Sequence, residues 1–143
     1  MKFLNVFNRI MEEQGELALA TCKDGVPNVR VVNFCYDEAN EGIIYFSSFR
    51  DNKKVEEFAQ NNRVAFTTIP HEGNEHVRVK NAMIKRSTLT VYDVKEKFIK
   101  KIPDYEMVIE QGGESLILFE IHFKEAEVTI NMEESGHIVF DGK

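Results

Sequence analysis

Short apolar segments of period two, following one another through tight turns, constrain this chain more than any other feature of its sequence. In "SLILFEIHF", Ile117, Phe119, Ile121 and Phe123 alternate with Glu120 and His122, so a strand there has one apolar side and one polar side. "ELALATC" and "VPNVRVVNFCY" read as two strands joined through a turn at Lys23 to Gly25, and "GIIYFSS" and "RVAFTTI" as two more. A long fifth segment, "HVRVKNAMIKRSTLTVY", loses its alternation near Asn81, which predicts a bend or bulge. "AEVTINM" and "HIVF" follow "SLILFEIHF" as edge strands.

Helical spacing is confined to brief stretches. "FLNVFNRIM" places Phe3, Phe7 and Ile10 on one face and stops near Gly15. Asp51 or Asn52 can cap "KKVEEFAQNN", where Val55, Phe58 and Ala59 share a face. Asp93 and Glu96 form a capping-box pattern before "VKEKFIKKI", which Pro103 ends, and "DYEMVIEQGG" is a further short helix closed by Gly112 and Gly113. Many strands in hairpin order with few helices between them favour an antiparallel barrel over a parallel α/β sheet. With no repeat, low-complexity run or linker, residues 1–143 read as one domain.

Charge and composition set several classes aside. The chain carries 18 basic and 24 acidic residues, a net −6, whereas phosphate-driven nucleic-acid binding calls for a basic excess. Hydrophobic content of 43% and charged content of 29% are those of an ordinary globular protein, and no apolar run approaches the roughly 20 residues of a membrane helix. The opening "MKFLNVFNRIMEEQGE", interrupted by Asn5, Asn8 and Arg9, does not read as a signal peptide. Cys22 and Cys35, with no CxxC, fit a reducing cytoplasm. His71, His76, His122 and His137 lack metal-ligand spacing, so no metal site is expected. Nucleophile elbows, phosphate-binding P-loops and dinucleotide fingerprints are all missing from the sequence.

One local feature runs against the acidic whole. In "YFSSFRDNKKVEEF", Arg50, Lys53 and Lys54 crowd a strand-to-helix junction just after Ser47 and Ser48. Solvated surface charges are one reading. Against it, the partial positive charge of a helix N-terminus disfavours cations there by about 0.3–1 kcal/mol per group. A phosphate held between the lysines, with hydroxyls and backbone N–H groups completing its hydrogen bonds, is the other reading.

"ALATCKDGVPNVRVVNF", then "GIIYFSSFRDNKKVEEFAQNNRVAF", then "EHVRVKNAMIKR", in that order, resemble the pyridoxamine 5′-phosphate oxidase-like family of FMN-binding split barrels. The likeness runs from the first helix to about Phe123. It implies a mainly β fold with peripheral helices: an antiparallel, six-stranded, Greek-key split barrel that binds FMN. It assigns the flavin ring to Arg30, Val31, Val32 and Asn33, the FMN phosphate to Ser47, Ser48, Lys53 and Lys54, and a polar contact near the ring to His76. Arg30 is either a permanent charge beside the reduced flavin or an exposed strand residue. The resemblance further implies a homodimer with two FMN sites at its interface. True pyridoxamine phosphate oxidases carry a tryptophan and an arginine motif near the C-terminus. This chain has no tryptophan and no arginine after Arg86, so it resembles instead the shorter general-stress and nitroimidazole-resistance flavoproteins. The expected activity is electron transfer by FMN from a reduced nicotinamide or other small donor to a small acceptor. The alternatives are a flavin-binding stress module without turnover, a split barrel that takes haem or deazaflavin F420, and a cofactor-free interaction domain.

Overall fold

Positive φ at Asp24 (53°) and Gly25 (78°) makes the tight turn whose twist suits a two-residue hairpin. The strands on either side, β1 (Glu16–Lys23) and β2 (Val26–Asn33), pair along their whole length, with Glu16 opposite Asn33 and Lys23 opposite Val26. The computed structural model describes residues 2–140, leaving aside the side chains of Lys53 and Lys54. Further strands are β3 (Cys35–Tyr36), β4 (Ile43–Phe49), β5 (Arg63–Thr68), β6 (His76–Arg86), β7 (Leu116–Phe123), β8 (Glu125–Thr129) and β9 (Ser135–Val139).

All of them join one antiparallel sheet in the order β2-β1-β5-β6-β7-β4-β3, with β8 paired to β6 and β9. The six strands expected for the barrel are β2-β1-β5-β6-β7-β4, but the sheet has nine. The count of six is corrected because β3, β8 and β9 lengthen its margins. With β4 lying beside β7 rather than β5, strands β4 to β7 form a Greek key. The bulge expected near Asn81 is present. Arg63 and Val64 pair with Met83 and Ala82, but Phe66 pairs with Val79, one register step away. Lys80 and Asn81 are therefore both exposed, and the buried positions change phase from Val77 and Val79 to Ala82 and Ile84.

The long fifth strand was expected to run on past Arg86. It ends there because Ser87 turns the chain, donating to Glu120 Oε2 (2.6 Å) and accepting the Leu89 N–H (3.0 Å).

The helices α1 (Lys2–Glu13), α2 (Lys53–Gln60), α3 (Lys95–Lys101) and α4 (Tyr105–Gly112) divide the two faces of the sheet. The inner face buries Leu19, Phe46, Phe66, Phe119, Ile121 and Phe123, with Phe7 of α1 and Phe58 of α2 packed onto them. Leu116 and Leu118 of β7 point the other way, into a second cluster with Val94, Phe98, Tyr105 and Ile109 beneath α3 and α4. Ala59 is exposed, so α2 buries a narrower stripe than its sequence spacing implies. The expected capping box does not form. Helix α3 starts at Lys95 after an uncapped Val94, and the Asp93 carboxylate instead accepts the Thr90 N–H (2.8 Å). Among the described residues no helix is long and apolar enough to cross a membrane.

"VPNVRVVNFCY" is not one strand. It breaks at Phe34, where the chain leaves one margin of the sheet and joins the other. Phe34 is fully buried, and its N–H donates to the Gly15 carbonyl (3.1 Å). Lys101 Nζ donates to the carbonyls of Phe34 (3.2 Å) and Met11 (2.7 Å) and lies 3.7 Å from the centre of the Phe34 ring. Burial pushes this ammonium down to about 8, partly opposed by Cys35 and Glu12.

The linkage follows from the sign of that shift. Between about 8 and the unfolded value near 10.5, the unfolded chain binds more protons at Lys101 than the folded one, so its contribution to stability rises with pH. Cys35 and Tyr36, each pushed up to about 12 by burial, act in the opposite sense above their ordinary values. We expect Lys101→Met to destabilise the protein by about 1–3 kcal/mol at pH 7, because two buried carbonyls lose their donor. The difference between wild type and variant should widen by about 1 kcal/mol from pH 7 to pH 9 in urea titrations. A difference independent of pH would show that Lys101 does not titrate there.

Candidate functional site at the open seam of the barrel

Strand β2 pairs only with β1, and β4 meets β3 only at Ile44 and Tyr45. Past Tyr45, one margin of β4 therefore faces the free margin of β2 with no ladder between them. A cavity of about 260 Å³ occupies this seam. Val31, Val32 and Asn33 line it from β2, and Ser47, Ser48 and Phe49 line it from β4. The sequence placed five of these six residues in a single site, and the fold brings those five together.

Strand alternation separates the two serines. Ser47 hydrogen-bonds the Tyr105 hydroxyl of α4. Ser48 is 4% exposed, and its hydroxyl has no partner. Burying an unpaired hydroxyl costs about 1–3 kcal/mol, which a bound acceptor would recover. Four buried side-chain polar atoms among the described residues lack a partner, and two of them, Ser48 Oγ and Arg30 Nη1, belong to the strands that border the seam.

Arg30 is not among the residues lining the cavity. It is a partly buried residue of β2, and its Nη2 donates to Glu57 Oε1 of α2 at 2.5 Å. The Arg30 hydrogen bond holds the Glu57 carboxyl below its ordinary value. Val32 is buried, whereas Val31 is 56% exposed and Asn33 is also exposed.

Lys53 and Lys54 open α2 directly after Asn52, another residue of the cavity wall; their side chains lie outside the described residues. His76 is not brought to the cavity within one chain. It begins β6 opposite Thr129, and its Nδ1 donates to the Asn74 carbonyl at 2.8 Å.

Four contributors from beyond β4 were missed: Asn52 just before α2, Tyr105 and Val108 of α4, and Leu116. The spacing of Tyr105 and Val108 marks a helix face, but nothing in the sequence says that α4 folds back onto β4. Tyr105 is 6% exposed and stacks on Phe98, with ring centres 4.4 Å apart and an interplanar angle of 15°. Burial raises its phenol above the ordinary value, only partly offset by the Ser47 hydrogen bond, so it remains a neutral hydroxyl at physiological pH. The described lining residues are all uncharged. The cavity therefore offers hydroxyl and amide groups together with aliphatic and aromatic surface.

Glu57→Gln should cost roughly 1–2 kcal/mol at neutral pH, since it weakens the one ion pair of a guanidinium whose other terminal nitrogen already lacks a partner. Because the Glu57 pKa is lowered, this contribution is complete above the unfolded carboxylate value and fades as pH falls through the folded one. Urea titrations of both proteins should converge in acid. A constant gap would assign the effect to packing.

A model of the pyridoxamine 5′-phosphate oxidase-like family matches residues 10–135. No curated protein matches the sequence. Among solved structures, the chain is similar to a NimC/NimA family protein from Clostridium acetobutylicum, with 18% identity, 96% of this chain and 92% of that one covered, and a TM-score of 0.68. It is similar to a FAD-binding protein from Mesorhizobium loti, with 18% identity, 91% and 90% covered, and a TM-score of 0.61. A heme binding protein from Mycobacterium smegmatis matches 91% of this chain over 55% of its own length, at 10% identity and a TM-score of 0.71. At these identities the structural likeness speaks for the fold. The family match spans most of the chain, both strands of the seam included, and the chain belongs to the pyridoxamine 5′-phosphate oxidase-like family.

Proposed function

We propose that this protein binds FMN at the seam between β2 and β4 and works as an oxidoreductase between a small donor and a small acceptor. The observation that carries this reading is the buried, unpartnered hydroxyl of Ser48 in a cavity next to the basic start of α2. A phosphate there takes the Ser48 O–H, backbone N–H groups at the start of α2 and the charge of Lys53 and Lys54. The free margin of β2 at Val31 to Asn33 offers apolar contact and unpaired backbone groups to the polar edge of a planar ring. When bound, FMN supplies the electron-transfer chemistry, and the chain binds and orients it.

Haem suits this cavity less well. No His, Cys or Met among the described residues lines it, and the Tyr105 hydroxyl is engaged by Ser47. Vitamin B6 oxidation is also disfavoured, by the lack of tryptophan and of any arginine after Arg86.

The cavity volume supports a homodimer. About 260 Å³ is below the roughly 300–1,000 Å³ of pockets that enclose a whole ligand, so the phosphate end fits while the ring rests on exposed Val31. A second copy covers the ring in this reading, and His76 of that copy approaches it.

Lys53→Ala combined with Lys54→Ala should weaken FMN at least tenfold, about 1.4 kcal/mol, and leave riboflavin nearly unchanged. Equal losses for both ligands would remove the phosphate from this position. FMN that binds only the dimer should stabilise it by roughly 2.7 kcal/mol at a hundredfold excess over Kd. Light scattering across a dilution series checks this: a monomer with full FMN affinity would place the entire site within one chain.

A further inference from the structure

The proposed FMN site contains two kinds of hydroxyl, and the fold treats them differently. Ser48 Oγ is unpartnered, while Ser47 Oγ and the Tyr105 phenol are bonded to one another. Both hydroxyls of that pair belong to residues that line the cavity. Two hydroxyls joined by one hydrogen bond keep one O–H unspent and several lone pairs free. The pair can therefore donate once and accept more than once.

A phosphate is poorly matched to that set. It needs several donors and positive charge, yet this pair carries no charge and has a single O–H left to give, whereas Ser48 lies beside the basic start of α2. A chain of alcohols, which donates and accepts in equal measure, matches it well. The phenol is held in place from behind, because Tyr105 stacks on Phe98 and sits in the cluster beneath α3 and α4.

We infer that the Ser47–Tyr105 pair is a separate subsite for the hydroxylated linker of the ligand, a polyol chain joining phosphate to ring, and that α4 supplies it. This rests on the flavin reading above and deepens it: Ser48 and the start of α2 take the phosphate, and Tyr105 with Ser47 takes the linker. Tyr105 is then a specificity determinant, since it distinguishes a flavin nucleotide from a planar ligand without a polyol.

Three flavins separate the parts: FMN, riboflavin without the phosphate, and lumiflavin without phosphate or polyol. Each is titrated against wild type, Tyr105→Phe and Ser47→Ala, and binding is followed by flavin fluorescence. Tyr105→Phe keeps the ring that stacks on Phe98, and thermal melts confirm that each variant is folded. The expected result is FMN and riboflavin each weakened about five- to tenfold in Tyr105→Phe, with lumiflavin within twofold of wild type. The double variant should lose little more than either single variant, because the two hydroxyls act as one unit.

Equal weakening of all three ligands would reduce Tyr105 to a packing residue and overturn the inference. Weakening of FMN alone would assign the pair to the phosphate and also overturn it. Unchanged affinities would show that the pair meets no ligand. A wild-type protein that binds none of the three overturns the flavin reading itself, and the subsite with it.

Discussion

The crossing at Phe34 is the constraint on which the rest of the architecture depends. A strand that continued straight through this residue would keep one hydrogen-bonding partner and one face. Here the chain instead moves from the margin formed by β2 to the margin formed by β3 and β4, and the two margins never zip together. The crossing needs its polar backbone satisfied in a fully buried place. Gly15 accepts its N–H, and Lys101 donates to its carbonyl while resting on the Phe34 ring. One lysine thus links α1, through Met11, to the crossing and to α3. The open seam is a consequence of that arrangement, and so are the unpaired strand margins that line the candidate site.

The site is a division of labour among elements. Strand β2 brings an apolar platform and a free margin, β4 brings two hydroxyls on opposite faces, α2 begins next to them, and α4 closes the back with Tyr105. Charge is kept to the periphery. Arg30 is paired with Glu57, and the described residues of the cavity wall are neutral, so positive charge for an anionic ligand must come from the start of α2. This reconciles an acidic chain with the anionic cofactor proposed for it, since charges more than about 8 Å away are largely screened at physiological salt.

Strand alternation made much of this legible in advance. The bulge of β6 announced itself where Lys80 and Asn81 break the pattern, and the alternation of β7 identified Ile117, Phe119, Ile121 and Phe123 as inner-face residues. Other features depend on contacts between distant residues, and no local pattern encodes them. The break at Phe34 is invisible because its neighbours are all good strand formers, and only Gly15 and Lys101 explain it. Alternation does predict that Ser47 and Ser48 face opposite ways, but the partner of Ser47 lies 58 residues on. Asp93 and Glu96 carried a real capping signature that lost to the competing turn at Thr90. Of the three extra strands, β8 and β9 fall where "AEVTINM" and "HIVF" read as edge strands, and only the pairing of the two-residue β3 with β4 depends on the assembled sheet.

A crystal structure of the protein grown with FMN tests the central claim most directly. The account predicts phosphate density within hydrogen-bonding distance of Ser48 Oγ and the first N–H groups of α2, with the ring along Val31 to Asn33 and covered by a second copy. Phosphate density anywhere else, or a ring enclosed by one chain, would contradict it.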